Sequence, residues 1–226
     1  MHQIPLPVSI SEYMTFESFH SSSNKVVIDS IKDDKNKLLW IAGLKGSGKT
    51  HILQATINYM DNGINRLLYL PMRESKDFTP DILDNLDQFD LVAIDDIENV
   101  IGDFSWEEQL LILYEELIHT KSRILISSSD TPQGLSFKLP DLASRFSLGL
   151  VDRLKPMNEE QMIEAISLHA KIRGFNLPQD VAKYLISRVP RDVSVLVDII
   201  KLLDYESLSK QRKLTIPFIK TVLDIK

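Results

Sequence analysis

The chain has 226 residues, is 43% hydrophobic and 26% charged, carries a net charge of −6 and contains no cysteine. That length fills one domain, or one domain with a smaller appendage, and the missing cysteines exclude a disulfide framework and a thiolate metal site. The acidic balance argues against a bulk electrostatic grip on nucleic acid, which needs clustered Lys and Arg.

No apolar run approaches the roughly 18 residues of a membrane span, and a basic-then-apolar secretory leader is not expected. A cytoplasmic address without membrane attachment is the resulting expectation. The five histidines are scattered, with no close His/Asp pairing to build a catalytic metal site.

In chain order, Pro5 and Pro7 force an extended start. Ile4, Leu6 and Val8 then point one way with nothing local to bury them, and Gln3 adds a directional hydrogen bond. Such a segment can fill a partner's pockets or pack on its own domain. Tyr13, Phe16 and Phe19 can wall a bound base or join the core. Residues 26–31 read as a helix, followed by a polar exit turn.

Residues 37–42 read as a buried strand that runs into Gly43-Leu-Lys-Gly-Ser-Gly-Lys-Thr50. This fits G-x-x-x-x-G-K-[ST], in which glycines let backbone N–H groups turn around a polyphosphate. Lys49 supplies a point charge for the terminal phosphates, and the Thr50 hydroxyl can ligate Mg²⁺. The expected cradle for ADP or ATP is Gly43, Gly46, Ser47, Gly48, Lys49, Thr50 and His51. The helix that follows, 51–60, places Ile52, Ala55, Tyr59 and Met60 on one face.

Residues 66–70 read as a second strand ended by Pro71, and 81–86 as a short helix. Residues 89–98 form an apolar run ending in Asp95 and Asp96. A carboxylate at such a strand end suits Mg²⁺ at Asp95, and Asp96 can orient an attacking water. An amphipathic helix spans 106–118. A strand from 123 brings Ser129 or Asp130 to the same rim, where a terminal phosphate can be sensed or a turn simply closed. Arg145 lies on a short helix opened by Pro140. It can reach a neighbouring subunit's nucleotide, or pair with Asp141 four residues earlier.

After residue 155 the βα pattern gives way to helices alone. Asn158 and Gln161 form an expected capping box for a helix at 159–173. Helices from Pro178 to about 189, from 191 to about 208, and from Pro217 to about 223 complete the chain. The fold class expected is α/β, a parallel sheet flanked by helices with a C-terminal helical subdomain. Its expected divisions are an arm at 1–12, a nucleotide-binding part at 13–155 and a lid at 156–226.

The order of these motifs resembles an AAA+ phosphate-loop ATPase module. Asp95-Asp96-Ile97-Glu98, Asp141-Leu-Ala-Ser-Arg-Phe146, Arg173-Gly-Phe-Asn-Leu-Pro178 and Gln211-Arg-Lys-Leu-Thr-Ile-Pro-Phe218 are similar to the Hda group of DnaA-related proteins. That resemblance implies a regulator that stimulates hydrolysis of ATP held by the replication initiator DnaA. It implies that Gln3, Ile4, Leu6 and Val8 dock on the DNA polymerase sliding clamp. Arg145 then stands as an arginine finger acting in trans, Asp96 at the hydrolytic position and Asp130 at sensor 1. Where the family commonly has a lid arginine, this chain has Ser194, which cannot supply a charged fork, so Arg191 is the candidate substitute. A helix-turn-helix module is not expected, nor is sequence-specific DNA binding. Self-association remains open, as does the alternative of a helicase loader or transposition helper handling single-stranded DNA.

Overall fold

The computed structural model describes residues 10–19, 23–190 and 193–224. Five strands form one parallel sheet: β1 Leu38–Ala42, β2 Leu67–Pro71, β3 Leu91–Asp95, β4 Arg123–Ser128 and β5 Leu150–Arg153, in the order β2-β3-β4-β1-β5. Strands β1, β3 and β4 are buried throughout, as a sheet covered on both faces requires. Their alternation divides side chains between two layers. Trp40, Val92, Ile94, Ile124 and Ile126 meet α3 (Phe104–Ile118) and α4 (Pro140–Phe146). Leu39, Ile41, Ala93 and Leu125 meet α1 (Lys25–Lys32) and α2 (Lys49–Met60).

A third hydrophobic cluster lies among α5 (Glu159–Ile172), α6 (Gln179–Arg188), α7 (Val193–Lys210) and α8 (Ile216–Leu223). The Asn158–Gln161 capping box is present in full. Where the sheet gives way to this bundle, the buried Asn24 clasps Lys155. Its Oδ1 accepts from the Lys155 N–H at 2.9 Å, and its Nδ2 donates to the Lys155 carbonyl at 3.3 Å. Gln161 Nε2 reaches Ser23 Oγ at 2.7 Å. Among the described residues, no helix is long and apolar enough to cross a membrane.

Three sequence expectations change. The helix expected at 81–86 is instead two 3₁₀ turns, Pro80–Leu83 and Leu86–Gln88, separated by Asn85 at φ 59°. An Asn tolerates that left-handed backbone, which an α-helix does not contain. Pro71 closes β2 from within rather than from outside; β2 is an edge strand, where a missing N–H is tolerated. Strand β5 had no counterpart in the sequence reading.

Helix α2 is also buried more widely than one face. Residues 51–57 are all buried, while Tyr59 is 58% exposed. The extra cover comes from residues 11–19. Asn58 Nδ2 donates to the carbonyls of Ser11 and Met14 at 3.0 and 2.7 Å, and the Ser11 N–H reaches Gln54 Oε1 at 3.1 Å. Tyr59 instead stacks edge-on against Phe16 at the rim.

Candidate nucleotide-binding site

The loop between β1 and α2 begins at Gly43, whose N–H bonds the Ser128 carbonyl at 3.0 Å and so ties it to β4. A Cβ at Gly43 would stand 2.5 Å from Ser47 Oγ. Gly46 and Gly48 adopt φ of 78° and 95°, a region that side chains disfavour. Gly48 is also crowded, because a Cβ there would lie 2.7 Å from the Phe19 ring. Phe16 and Phe19 are thus core residues backing α2 and the loop, rather than walls of a base pocket.

A polyphosphate suits this cradle. Ser47 Oγ is buried and finds no hydrogen-bond partner among the described residues. The first i→i−4 bond of α2 runs from Ile52 N–H to the Gly48 carbonyl at 3.0 Å. The N–H groups of Lys49, Thr50 and His51 therefore precede the helical ladder at its electropositive end. Lys49 Nζ donates to the Gly43 carbonyl at 2.9 Å and lies 3.8 Å from Asp96 Oδ1. The cavity above is lined by Gly46, Gly48, Lys49, Thr50, His51 and Asp96, joined by Lys45, Arg73, Met14 and Val197. Val197 belongs to α7, so the helical bundle forms part of the wall.

The two adjacent acids have different surroundings. Asp95 is fully buried and accepts from the Tyr69 hydroxyl at 2.7 Å and from Ser127 Oγ. It does not line the cavity. Burial, and then the Asp95 charge, push the Tyr69 hydroxyl far up, so it stays protonated as a donor. Asp96 sits at φ 54°, its N–H held by Ser127 Oγ at 2.9 Å. Its carboxyl is pushed up to about 6, by burial first and then by Asp95, against the pull of Lys49. At neutral pH it is mostly ionised yet able to accept a proton, which suits a base near an attacking water.

Asp130 lies elsewhere. Arg153 of β5 holds its Oδ1 at 2.7 Å, and the Thr131 N–H bonds the same oxygen at 2.7 Å. These contacts, the Thr131 bond foremost, keep its carboxyl below the usual range. Ser129 N–H is occupied by Glu98 Oε1 at 3.0 Å. Neither residue lines the cavity.

The His51 ring is engaged by neighbouring segments of the chain. Its Nε2 lies 2.9 Å from the Thr15 carbonyl and 3.0 Å from Ser18 Oγ. A carbonyl only accepts, so Nε2 carries the proton. The ring packs edge-on against Phe19 and against His169 of α5, at centroid distances of 5.2 and 5.4 Å.

Arg145 is 39% exposed on α4, 3.1 Å from Glu115 and 3.5 Å from Asp141. It is neither sealed in the core nor part of the loop cavity. Gln3, Ile4, Leu6, Val8 and Arg191 lie outside the described residues, as does the side chain of Ser194.

Sequence reasoning missed Arg73, Tyr69, Ser127 and His169. Ser127 carried a usable signal, being the hydroxyl that follows the apolar run of residues 124–126. Arg73 and His169 carried none, since their positions depend on how distant segments meet. Among the described residues, no group of three or more His, Asp or Glu could hold a metal ion unaided. Magnesium would therefore need ligand oxygens in addition to Thr50 and the Asp95-Asp96 corner.

The family profile described as the bacterial DnaA ATPase domain matches residues 11–153. The profile described as the Hda lid domain matches residues 159–223. An uncharacterized protein of Haemophilus influenzae is 39% identical over 228 residues, spanning 99% of both chains. Domain III of the Thermotoga maritima replication initiation protein DnaA superposes with a TM-score of 0.80 at 24% identity, over 96% of this chain and 98% of its own. AMPPCP-bound DnaA from Aquifex aeolicus gives 0.68 at 21% identity, over 90% and 70%. Thermotoga maritima RuvB gives 0.62 at 16%, over 89% and 66%. The fold shared with these structures is the AAA+ arrangement of a phosphate-loop sheet followed by a helical lid.

Proposed function

Because the chain belongs to the bacterial DnaA ATPase-domain family and carries an Hda-type lid, we propose that it is a nucleotide-binding regulator of replication initiation. In this reading ADP or ATP sits in the cradle of residues 43–51, Thr50 holds Mg²⁺, and Asp95 acts on that ion only through its water shell. That an Aquifex aeolicus DnaA of the same fold is AMPPCP-bound supports the first part. Lys49 turns its ammonium from the Gly43 carbonyl to phosphate oxygens, and Asp96 stands ready to take a proton. Magnesium, when bound, offsets phosphate charge. The proposed divisions are a clamp-docking arm at 1–12, the nucleotide-binding part at 13–155 and the lid at 156–226.

The proposed action is on another protein's nucleotide. The arm residues Gln3, Ile4, Leu6 and Val8 dock on the sliding clamp, and Arg145 is presented to ATP held by the initiator DnaA. The observation that carries this is the placement of Arg145: accessible, aromatic-backed and outside the chain's own loop cavity. A guanidinium so placed is available to a nucleotide held by a neighbour. Its ion pairs with Glu115 and Asp141 are surface contacts worth little, so exchanging them for a phosphate is cheap.

The test is turnover of initiator-bound ATP with clamp loaded on DNA. Arg145→Ala should lower the stimulated rate about 10³-fold or more, the range for a removed arginine finger. Clamp pull-down by that variant should be unchanged. A stimulated rate within a few-fold of the parent refutes the assignment. Salt-sensitive capture of a single-stranded oligonucleotide without clamp would favour the helicase-loader alternative.

A further inference from the structure

We infer that Arg73 is a second cationic contact for the terminal phosphate of the bound nucleotide, one that distinguishes a triphosphate from a diphosphate. This deepens the nucleotide reading above and rests on it.

Four observations point the same way. Arg73 lines the loop cavity together with Lys49 and Asp96. It comes from the 3₁₀ turn Met72–Asp77 directly after β2, and the neighbouring strand β3 delivers Asp95 and Asp96. Its side chain is 54% exposed, and its one described ion pair is a loose 3.8 Å approach to the adjacent Glu74. Lastly, Arg73 acts electrostatically on both Asp96 and Tyr69, so its charge reaches the carboxylate corner.

The position within the cavity follows from the loop's mechanics. Backbone N–H groups of such a loop cradle the inner phosphates, and the lysine reaches the outer ones. Asp96 stands 3.8 Å from that lysine's ammonium, so the Asp96 and Arg73 end of the cavity is where a third phosphate arrives. Asp96 is the carboxylate that faces this end, with the buried Asp95 next to it in the chain. An incoming phosphate with only Lys49 opposite it would face Asp96 as a like charge. A guanidinium on the far side offsets that repulsion and offers a planar fork for two phosphate oxygens. A diphosphate held by the loop leaves this end unused.

The test is the affinity of a fluorescent ADP and of the non-hydrolysable triphosphate AMPPCP, competed against it, for the full chain. Four proteins are compared: the parent, Arg73→Ala, Arg73→Lys and Lys49→Ala. Because Arg73 is half exposed, its variants should melt at the parent temperature when nucleotide is left out. We expect Arg73→Ala to weaken AMPPCP about tenfold and ADP less than about threefold, in line with loss of one charge-assisted contact. Arg73→Lys should recover part of the AMPPCP loss. Lys49→Ala should weaken both nucleotides. Equal losses of ADP and AMPPCP in Arg73→Ala, or no loss of either, overturn the role of Arg73. If Lys49→Ala still weakens both, the nucleotide reading survives that result. A parent chain that binds neither nucleotide overturns both.

Discussion

Acidification should destabilise this protein through two facing histidines. His51 on α2 and His169 on α5 meet edge-on at 5.4 Å across the junction of sheet and bundle. Burial pushes both down to about 4 from 6.5. For His169, the charges of His51, Arg173 and Lys201 add to the effect. Each imidazole is therefore harder to protonate in the folded chain than in the unfolded one. Their contribution to stability is complete above pH about 6.5 and disappears as pH falls through 4. A drop of 2.5 pH units, from 6.5 to 4, corresponds to roughly 3 kcal/mol per ring when fully expressed. Between pH 7.5 and 5 each ring should give up about 2 kcal/mol of that. The two do not simply add, because part of the His169 shift is repulsion from His51. Urea unfolding of the parent and of His169→Leu at both pH values separates this effect from that of the carboxylates, which both proteins share. The variant should lose about 2 kcal/mol less than the parent on acidification. Equal losses would mean that these rings are not held neutral by the junction, and the argument from their burial would fail.

Gly48→Ala should lower stability by about 2 kcal/mol, since the residue is held at φ 95° and a methyl there meets Phe19. For a chain of this size that is about 4–8 °C in Tm, readable by calorimetry; an unchanged Tm would mean that the loop relaxes freely. Glu107, fully buried on α3, accepts from the N–H groups of Gly102, Lys138 and Leu139 at 2.7, 3.1 and 2.7 Å. Glu107→Ala should cost about 3 kcal/mol or more by stranding three donors. Glu107→Gln keeps one accepting oxygen and should cost less. Equal losses for the two in urea unfolding would show that the hydrogen bonds are not what matters.

Local pattern was enough for much of this molecule. The phosphate-loop glycines, the buried strands β1, β3 and β4, the capping box at Asn158 and the switch to helices after residue 155 all follow from short-range rules. Those rules concern backbone freedom, period and cap chemistry, which adjacent residues settle among themselves. Strand β5 escaped because its four residues are exposed or half-buried, with no apolar alternation to mark them. It exists because β1 offers an open edge, pairing Leu39 with Leu150. Likewise α2 looks one-sided in sequence, and residues 11–19 cover Gln54 and, with His169 of α5, His51.

The candidate site divides along the same line. That Lys49, Thr50 and an Asp-Asp strand end belong to one site was readable from sequence, because the loop and the strand are each self-contained signals. Which acid faces the cavity was not. Asp95 is turned inward by Tyr69 and Ser127, on two other strands, and Asp130 is turned aside by Arg153 on a third. Arg73 joins the cavity only because β2 lies beside β3. Residue type and spacing determined what chemistry this chain carries. The stacking of distant strands decided where each charge points, because a side chain's direction depends on neighbours that the sequence does not place beside it.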